Sequence, residues 1–409
     1  MIDRNNAATA LAARSCIGPL FCYFDGFAAL LRCQEYTQKA VRHKCLLVRH
    51  LSRWLEGRGL ALERLDEEQL DGFLLDRHHR GKPRAGEIRT AHQILGYLRD
   101  LGCTPPRSRR VVSTPLTDLL AGFEKFLSEQ RGLAPATLTN YLPIVRRFLI
   151  ERFGNGSLDC CQLRASDIHH FILESLPGRR AKLRVTVLRS FLRYLQQCGT
   201  ISTDLAAAVP GAAYWKLSNL PKTIPPADVE LLLASCDRDT PTGRRDYAIL
   251  LLLARLGLRC GEVVAMTLDD LDWDCGEIVV RGKGQRLARL PLLADVGAAL
   301  ANYLHYDRPA CPTRRVFVRI YAPHTGWLGT SPVRAVVYSA LARAGLNPVF
   351  KGSHLLRHLL ATDLLRRGAS LLEIGQVLRH SQPATTQIYA KVDIAALRQI
   401  GQPWPGIPS

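Results

Sequence analysis

Apolar residues recur at helical spacing through the N-terminal quarter of the chain. Leu47, Leu51 and Leu55 are four residues apart, and arginines occupy other faces of the same stretch, which predicts an amphipathic helix. Another helix is predicted from Ile88 to Leu101, and Gly102 after it is a typical C-cap. The beginning of the chain is therefore expected to form a helical module.

This helical pattern returns further along the chain. In both copies the last helix reads Leu-x-Tyr-Leu before a glycine, at positions 97 residues apart: Leu95, Tyr97, Leu98 and Gly102, then Leu192, Tyr194, Leu195 and Gly199. An earlier helix matches at a shift of 98 residues, with Leu65, Leu70 and Phe73, then Leu163, Ile168 and Phe171. The pattern predicts a degenerate duplication of one helical module. Coincidence between two amphipathic helix sets is the alternative.

Two short segments of alternating apolar and polar residues stand out in the second half of the chain. Glu277–Arg281 and Arg286–Leu290 flank the turn Gly282-Lys283-Gly284-Gln285 and predict a β-hairpin. Val316–Val318 is a candidate third strand, and helical periodicity resumes from Ser331. The fold class expected is mainly α with a small β-sheet.

Linkers rich in proline, arginine and lysine suggest where the domains end. The length of 409 residues is too great for one ordinary core. The division expected is an N-terminal helical module at 1–110, a second helical domain at 115–205, a linker at 206–226, and a final domain with a C-terminal tail at 227–409.

The charge balance indicates a polyanionic partner. Lys and Arg number 55 against 36 for Asp and Glu, which gives a formal charge of +19. Nucleic acid is the commonest partner of such a chain, and a ribosome-associated or merely basic protein is the alternative.

Cysteine use and hydropathy indicate the compartment. The 12 cysteines include no Cys-x-x-Cys pair, and the first residues lack the layout of a secretory signal. No apolar run reaches the roughly 18–20 residues that cross a bilayer. We therefore expect a cytoplasmic, nucleoid-associated protein with reduced thiols and no membrane contact.

Residues suited to phosphate chemistry are concentrated near the C-terminus. His354 and Arg357 are three apart and share a helix face, and His380 and Tyr389 follow them in order. Arginine suits an anion site because its planar fork donates two hydrogen bonds to phosphate oxygens and stays charged.

Together with Arg259 in Gly-Leu-Arg-Cys-Gly-Glu and Lys283 on the hairpin, these motifs resemble the tyrosine recombinase (phage integrase) family. The family pattern is Arg, Lys, His-x-x-Arg, His, Tyr, and it is matched here in order. The resemblance implies a helical core-binding (SAM-like) domain followed by an α+β catalytic domain, and a metal-independent enzyme without cofactor that exchanges DNA strands.

The resemblance also implies a role for each matched residue. Arg259 and Arg357 would clamp the phosphate, with Glu262 orienting Arg259. His354 would contact the phosphate and accept the proton of the nucleophile, and His380 would be a further phosphate donor.

Two more roles complete the set that the resemblance implies. Lys283 would protonate the departing 5′ oxygen, and Tyr389 would be the nucleophile that forms a 3′-phosphotyrosine. A phenol has a pKa of about 10, so nearby cations are needed to favour its anion. Arg379 departs from the family pattern, because glycine is usual at the position before His380.

Basic residues of the second helical domain are candidates for contact with DNA phosphates, with a solvated helix face as the alternative. They are Arg146, Arg147, Arg179, Arg180, Lys182 and Arg184.

The resemblance implies a recombinase of a mobile element, such as a transposon, that acts as a homotetramer on double-stranded DNA, alone or with related recombinases. A type IB topoisomerase and an inactive DNA-binding accessory protein are the alternatives.

His354 and His358 have the spacing of a zinc pair, but Leu355 stands where a zinc protease has glutamate. The apolar stripe Val392, Ile394, Ala395, Leu397 and Ile400 suits either a neighbouring subunit or the same chain.

Overall fold

The computed structural model confirms a mainly helical protein with a small sheet. It describes residues 18–78, 86–106, 114–154, 158–173, 179–211, 223–282, 286–380 and 382–392. The chain forms two compact units: residues 107–218 make one, and residues 1–106 together with 219–409 make the other. None of the helices in the described ranges combines the length and apolarity that a membrane crossing demands.

The N-terminal helices enclose a core of their own. They are α1 (Phe24–Cys33), α2 (Gln38–Gly57), α3 (Glu67–His78) and α4 (Glu87–Asp100). The side chain of Thr37 accepts a hydrogen bond from the backbone N–H of Ala40 and caps α2. Phe27, Leu51 and Leu98 are among the residues buried between these helices.

The unit of residues 107–218, called the second unit below, repeats this order of helices. It contains α5 (Pro115–Lys125), α6 (Pro135–Phe153), α7 (Ala165–Leu173) and α8 (Arg179–Gln197). A short 3₁₀ turn precedes the third helix in each set, at Leu62–Arg64 and at Cys160–Gln162. Phe123, Phe148 and Phe191 lie in the core of this unit.

The C-terminal half is built around one deeply buried helix. The helices are α9 (Pro226–Ala234), α10 (Pro241–Arg255), α11 (Cys260–Ala265), α12 (Ala294–Asn302), α13 (Ser331–Arg343), α14 (His354–Arg366) and α15 (Leu371–Val377). Residues 248–254 of α10 are all buried, and the helix packs against α12, α13 and α14. A 3₁₀ helix, Gln387–Val392, follows α15 and packs on α14.

The sheet has three antiparallel strands in the order β1-β2-β3, namely β1 (Leu271–Asp272), β2 (Glu277–Arg281) and β3 (Leu287–Pro291). The predicted hairpin is present, with Val279 opposite Arg289. The suggested third strand at Val316–Val318 is wrong. Within that segment Val318 forms an isolated bridge with Gly326, and all three side chains are buried.

A close contact between α1 and α4 generates a stability prediction. A Cβ atom on Gly26 would overlap the hydroxyl of Tyr97, whose ring packs on Phe27 at 5.7 Å. We expect Gly26→Ala to lower the free energy of unfolding by about 1–2 kcal/mol, because an overpacked core costs more than the helix gains from alanine. Thermal and urea unfolding of the full chain measure the change.

The matched control is Gly96→Ala in α4, where an added Cβ meets no atom within 4 Å. It should raise the free energy of unfolding by up to about 1 kcal/mol. Adding Tyr97→Phe to Gly26→Ala should recover most of the loss, because the obstructing hydroxyl is removed. Equal stability of the two alanine variants would contradict this packing.

Candidate active site

The first predicted phosphate ligand, Arg259, lies at the N-terminus of α11 and is fixed by a carboxylate. Its guanidinium donates a hydrogen bond to Glu262 at 2.6 Å, and its backbone N–H donates to the other carboxylate oxygen at 2.8 Å. About a third of the Arg259 side chain remains exposed, whereas Glu262 is buried. Burial acts to raise the pKa of Glu262, but the Arg259 N–H and the nearby guanidinium charges outweigh it and keep the pKa low.

A left-handed turn before Arg259 brings the second predicted clamp alongside it. Gly257 has a φ of +58°, and a Cβ at this position would press on Leu360 and Leu378. Glycine therefore satisfies both the backbone conformation and the close packing. The bare backbone leaves the Gly257 carbonyl accessible to the guanidinium of Arg357.

Arg357 is the most buried cation of the site, with 3% of its surface exposed. Its guanidinium donates hydrogen bonds to the carbonyl oxygens of Gly257 and Leu378. These bonds join α14 to the turn before α11 and to the end of α15. Burial, followed by repulsion from Arg259 and Arg379, lowers the pKa of Arg357 to about 10. The side chain therefore stays charged at neutral pH and is held rigidly.

Tyr389, the predicted nucleophile, is in the same cluster. Its hydroxyl lies 2.8 Å from Nδ1 of His358, and only 2% of the residue is exposed. Burial raises the pKa of Tyr389 to about 12, although the charges of Arg357 and Arg259 act to lower it. The phenol is therefore protonated at neutral pH, and its reaction with a phosphate requires an acceptor for the proton.

His358, and not the predicted His354, is the imidazole in contact with this phenol. His354 is the first residue of α14 and is exposed, with its ring centroid 6.3 Å from that of His358. In the described part of the chain, no group of three or more His, Cys, Asp or Glu side chains is placed to hold a metal ion. The role predicted for His354 stays a prediction.

His380 follows α15 and faces the same cations. Its Nδ1 lies 2.8 Å from the hydroxyl of Thr386, which is buried. Burial and then the positive charges of Arg357 and Arg259 lower the pKa of His380 to about 4. The imidazole is thus neutral at physiological pH and can act as a hydrogen-bond donor without carrying charge.

Arg379 adds a third guanidinium that the family pattern does not predict. Its φ of +53° is left-handed, which explains why glycine suits this position. The guanidinium donates a hydrogen bond to Glu262 at 3.0 Å and lies 3.5 Å from the Gly257 carbonyl. Glu262 therefore binds Arg259 and Arg379 together, a contact that spacing along the chain does not reveal.

The remaining predicted residues lie outside this cluster or outside the described residues. Lys283 lies outside the described residues; β2 before it is anchored by an ion pair of 2.5 Å between Arg281 and the buried Asp270. Arg146 and Arg147 are exposed on α6, and Arg147 pairs with Glu151.

Of the other candidate DNA contacts, Lys182 is exposed and Arg184 packs inside its own unit. The Arg184 guanidinium lies over the ring of Phe171 and donates to that residue's carbonyl at 3.3 Å. The side chains of Arg179, Arg180 and the apolar stripe after Tyr389 lie outside what the structure describes.

Comparison with known proteins identifies the class to which this fold and site belong. Residues 222–395 match the family model described as the phage integrase family. A protein of Sinorhizobium fredii named integrase/recombinase y4rA is 44% identical over 394 residues, which cover 95% of this chain and 95% of that protein. The tyrosine recombinase XerD of Listeria monocytogenes is 32% identical over 307 residues, covering 70% of this chain and 97% of XerD. The chain belongs to the phage integrase family of tyrosine recombinases.

Solved structures of tyrosine recombinases share the fold. The XerH recombinase bound to its difH substrate in a post-cleavage complex has a TM-score of 0.56 and 18% identity, covering 76% of this chain and 87% of that one. A lambda integrase dimer bound to a COC′ core site has a TM-score of 0.52 and 20% identity. The match covers 71% of this chain and 98% of the integrase chain. The predicted family and fold class are confirmed.

The lowered pKa of His380 predicts an acid sensitivity of stability. In the unfolded chain this imidazole titrates near pH 6.5, so between about pH 4 and pH 6.5 the unfolded chain binds more protons than the folded one. The free energy of unfolding should therefore fall as the pH drops through this window. Urea unfolding at several pH values should show a shallower fall for His380→Gln. Identical pH profiles of the two proteins would exclude a depressed pKa.

The position of Arg379 predicts separate effects on stability and on strand cleavage. Arg379→Gly relieves a left-handed backbone that costs about 1–2 kcal/mol, which offsets the loss of the Glu262 contact. We expect little change in melting temperature, but a cleavage rate reduced by roughly tenfold, because one cation near the phosphate is lost. Single-turnover cleavage measures the rate, and Arg379→Lys should retain most of it. An unchanged rate in Arg379→Gly would show that the guanidinium does not act on the phosphate.

Proposed function

We propose that this chain is a site-specific DNA recombinase that cleaves and rejoins strands through a 3′-phosphotyrosine intermediate. The observation that carries the proposal is the Tyr389 hydroxyl, which lies 2.8 Å from Nδ1 of His358 and within the influence of the Arg357 and Arg259 charges. Fixed cations stabilise the extra negative charge of a pentacoordinate phosphorane more than that of the ground state. A phenol with a proton acceptor in this environment is suited to attack a phosphodiester.

The reaction that these groups support is an exchange of esters. The Tyr389 oxygen bonds to phosphorus while the bond from phosphorus to the 5′ oxygen breaks. The phenolic proton passes to the imidazole of His358, and Lys283 supplies a proton to the 5′ oxygen. One phosphate ester replaces another, so a 5′ hydroxyl from a different strand can reverse the attack without nucleotide hydrolysis.

Each cation has a distinct part in this proposal. Arg259 is partly exposed and can donate directly to the non-bridging phosphate oxygens. Arg357 uses two N–H groups on backbone carbonyls, so it contributes a charge whose position does not change during the reaction. His380 is neutral and donates a hydrogen bond to the phosphate. His354, exposed at the start of α14, is a further phosphate ligand.

The domain roles and the assembly are part of the same proposal. Residues 115–205 act as the core-binding domain, with Arg146 and Arg147 on phosphates, and residues 227–409 carry the catalysis. The DNA sites that accompany XerH and lambda integrase in their structures support duplex DNA as the substrate. Recombination between two duplexes cuts four strands, and each chain offers one nucleophile, so a tetramer is the assembly proposed.

A type IB topoisomerase is the second candidate. The alignment with XerD covers 97% of that protein and includes sequence in front of the catalytic half. This similarity favours a recombinase over a topoisomerase.

A covalent trapping experiment tests the nucleophile. On nicked duplexes made from the ends of the DNA element that carries the gene, the wild-type chain should form a denaturant-resistant adduct, and Tyr389→Phe should form none while binding DNA equally. EDTA is present throughout, because the proposed site consists of side chains alone. Gel electrophoresis of labelled DNA detects the adduct.

The matched control is Tyr338→Phe on α13, an exposed tyrosine that should form the adduct normally. An adduct with Tyr389→Phe would assign the nucleophile to another residue. Relaxation of supercoiled plasmid without any sequence requirement would favour the topoisomerase.

A further inference from the structure

The N-terminal helices and those of the second unit correspond element by element. Helices α1 to α4 match α5 to α8 in order, and each set has a 3₁₀ turn before its third helix. Core positions of α2 recur in α6 at a constant shift of 97 residues: Val41, Val48 and Leu51 are buried in one, and Leu138, Val145 and Phe148 in the other. The two sets therefore bury equivalent faces of equivalent helices.

Two unusual local features recur in both sets. A Cβ on Gly26 would overlap the hydroxyl of Tyr97, and a Cβ on Gly122 would overlap that of Tyr194. Left-handed residues also coincide, with φ of +71° at Gly102 and +69° at Gly199. A close glycine–tyrosine contact is a specific solution to helix packing, and chance pairing of amphipathic helices does not account for it.

The exposed face of α2 carries a stripe of positive charge. Lys39, Arg42, Arg49 and Arg53 are spaced three, seven and four residues apart, which places them along one side of the helix, opposite its buried face. We call these four residues the α2 stripe. At 1.5 Å per residue the stripe is about 21 Å long, comparable to the rise of roughly six base pairs of duplex DNA.

The charges of the α2 stripe are not neutralised within the fold. Among the residues that the structure describes, none of the four makes an ion pair, and the buried Nε of Arg49 has no hydrogen-bond partner. Other arginines of the same module are paired, as Arg58 is with Asp76 at 2.8 Å and Arg99 with Glu67 at 2.7 Å. The stripe is therefore an uncompensated cationic surface.

One residue of the α2 stripe also occupies the position of a candidate DNA-binding residue in the second unit. At the shift of 97 residues Arg49 corresponds to Arg146, and His50 corresponds to Arg147. The fourth helices differ, because Glu87 of α4 corresponds to Arg184 of the basic helix α8. The N-terminal set thus keeps positive charge on its second helix and lacks the basic run on its fourth.

We infer that residues 18–106 form a second domain of the core-binding type, and that the α2 stripe binds the phosphates of duplex DNA. The choice of duplex DNA as the ligand rests on the proposed function, whereas the domain type and the charged surface do not. Lys39, Arg42 and Arg53 are exposed and Arg49 is half-buried. Contacts from lysine and arginine to phosphates add affinity for duplex DNA without reading its sequence. The N-terminal domain extends the length of DNA that one chain holds.

A salt titration of full-length variants tests the inference. The stripe variant is Arg42→Gln with Arg53→Gln, and the control is Arg58→Gln with Arg64→Gln; all four residues are exposed, and each pair removes two positive charges from the same module. Fluorescence anisotropy follows binding to a labelled random-sequence duplex of about 40 base pairs between about 50 and 200 mM salt.

The stripe variant should lose roughly 10- to 100-fold in affinity at about 0.1 M salt, and its slope of log K against log salt should be shallower by about 1.8, because two phosphate contacts are lost. The control should match the wild type, and Arg42→Lys with Arg53→Lys should keep the wild-type slope. Circular dichroism and thermal unfolding verify that all variants are folded.

Equal slopes for the stripe and control variants would overturn the inference while leaving the proposed function intact. A wild-type chain that fails to bind the duplex at all would count against both. Sedimentation of the chains without DNA adds a further criterion: loss of self-association only in the stripe variant, with an unchanged salt slope, would assign the stripe to a second copy of the chain and overturn DNA binding.

Discussion

The candidate active site depends on a concentration of positive charge that must be stable before any phosphate arrives. Three guanidinium groups, those of Arg259, Arg357 and Arg379, lie close enough to lower one another's pKa or that of His380. A single buried carboxylate, Glu262, binds two of them, and backbone carbonyls hold the third. The fold therefore supplies enough negative charge to assemble the cations but not enough to neutralise them. In the proposed function a phosphate would complete the balance, and this electrostatic preorganisation would favour a phosphorane over the ground state.

Rigid packing keeps this arrangement in place. The buried helix α10 leads directly into the turn at Gly257. The hydrophobic core therefore fixes the position of Arg259, the N-cap of α11. The thiol of Cys260 lies 2.9 Å from the hydroxyl of Ser353, the residue before α14, and ties the two arginine-bearing motifs together. Because Arg357 also bonds the ends of two other segments, a shift of any one of them would disturb the whole cluster.

The helical domains illustrate how a core is kept while a surface changes. Glycine–tyrosine contacts and buried leucines recur in the N-terminal helices and in the second unit, because such packing tolerates little variation in volume. Exposed positions are under no such constraint, and the charges of α4 and α8 have diverged. If both domains bind DNA as we propose, their different surface charges would give them different shares of the binding.

The sequence by itself determined the helical fold class, the hairpin, the family and the order of the catalytic candidates, since these depend on periodicity and on local motifs. Only the tertiary structure decided which histidine meets Tyr389, that Arg379 shares Glu262 with Arg259, and that Leu271–Asp272, not Val316–Val318, is the third strand. Each of these is a contact between segments far apart in the chain. Side-chain spacing fixes which face a residue occupies, but the packing of the whole core selects the partner that the face meets.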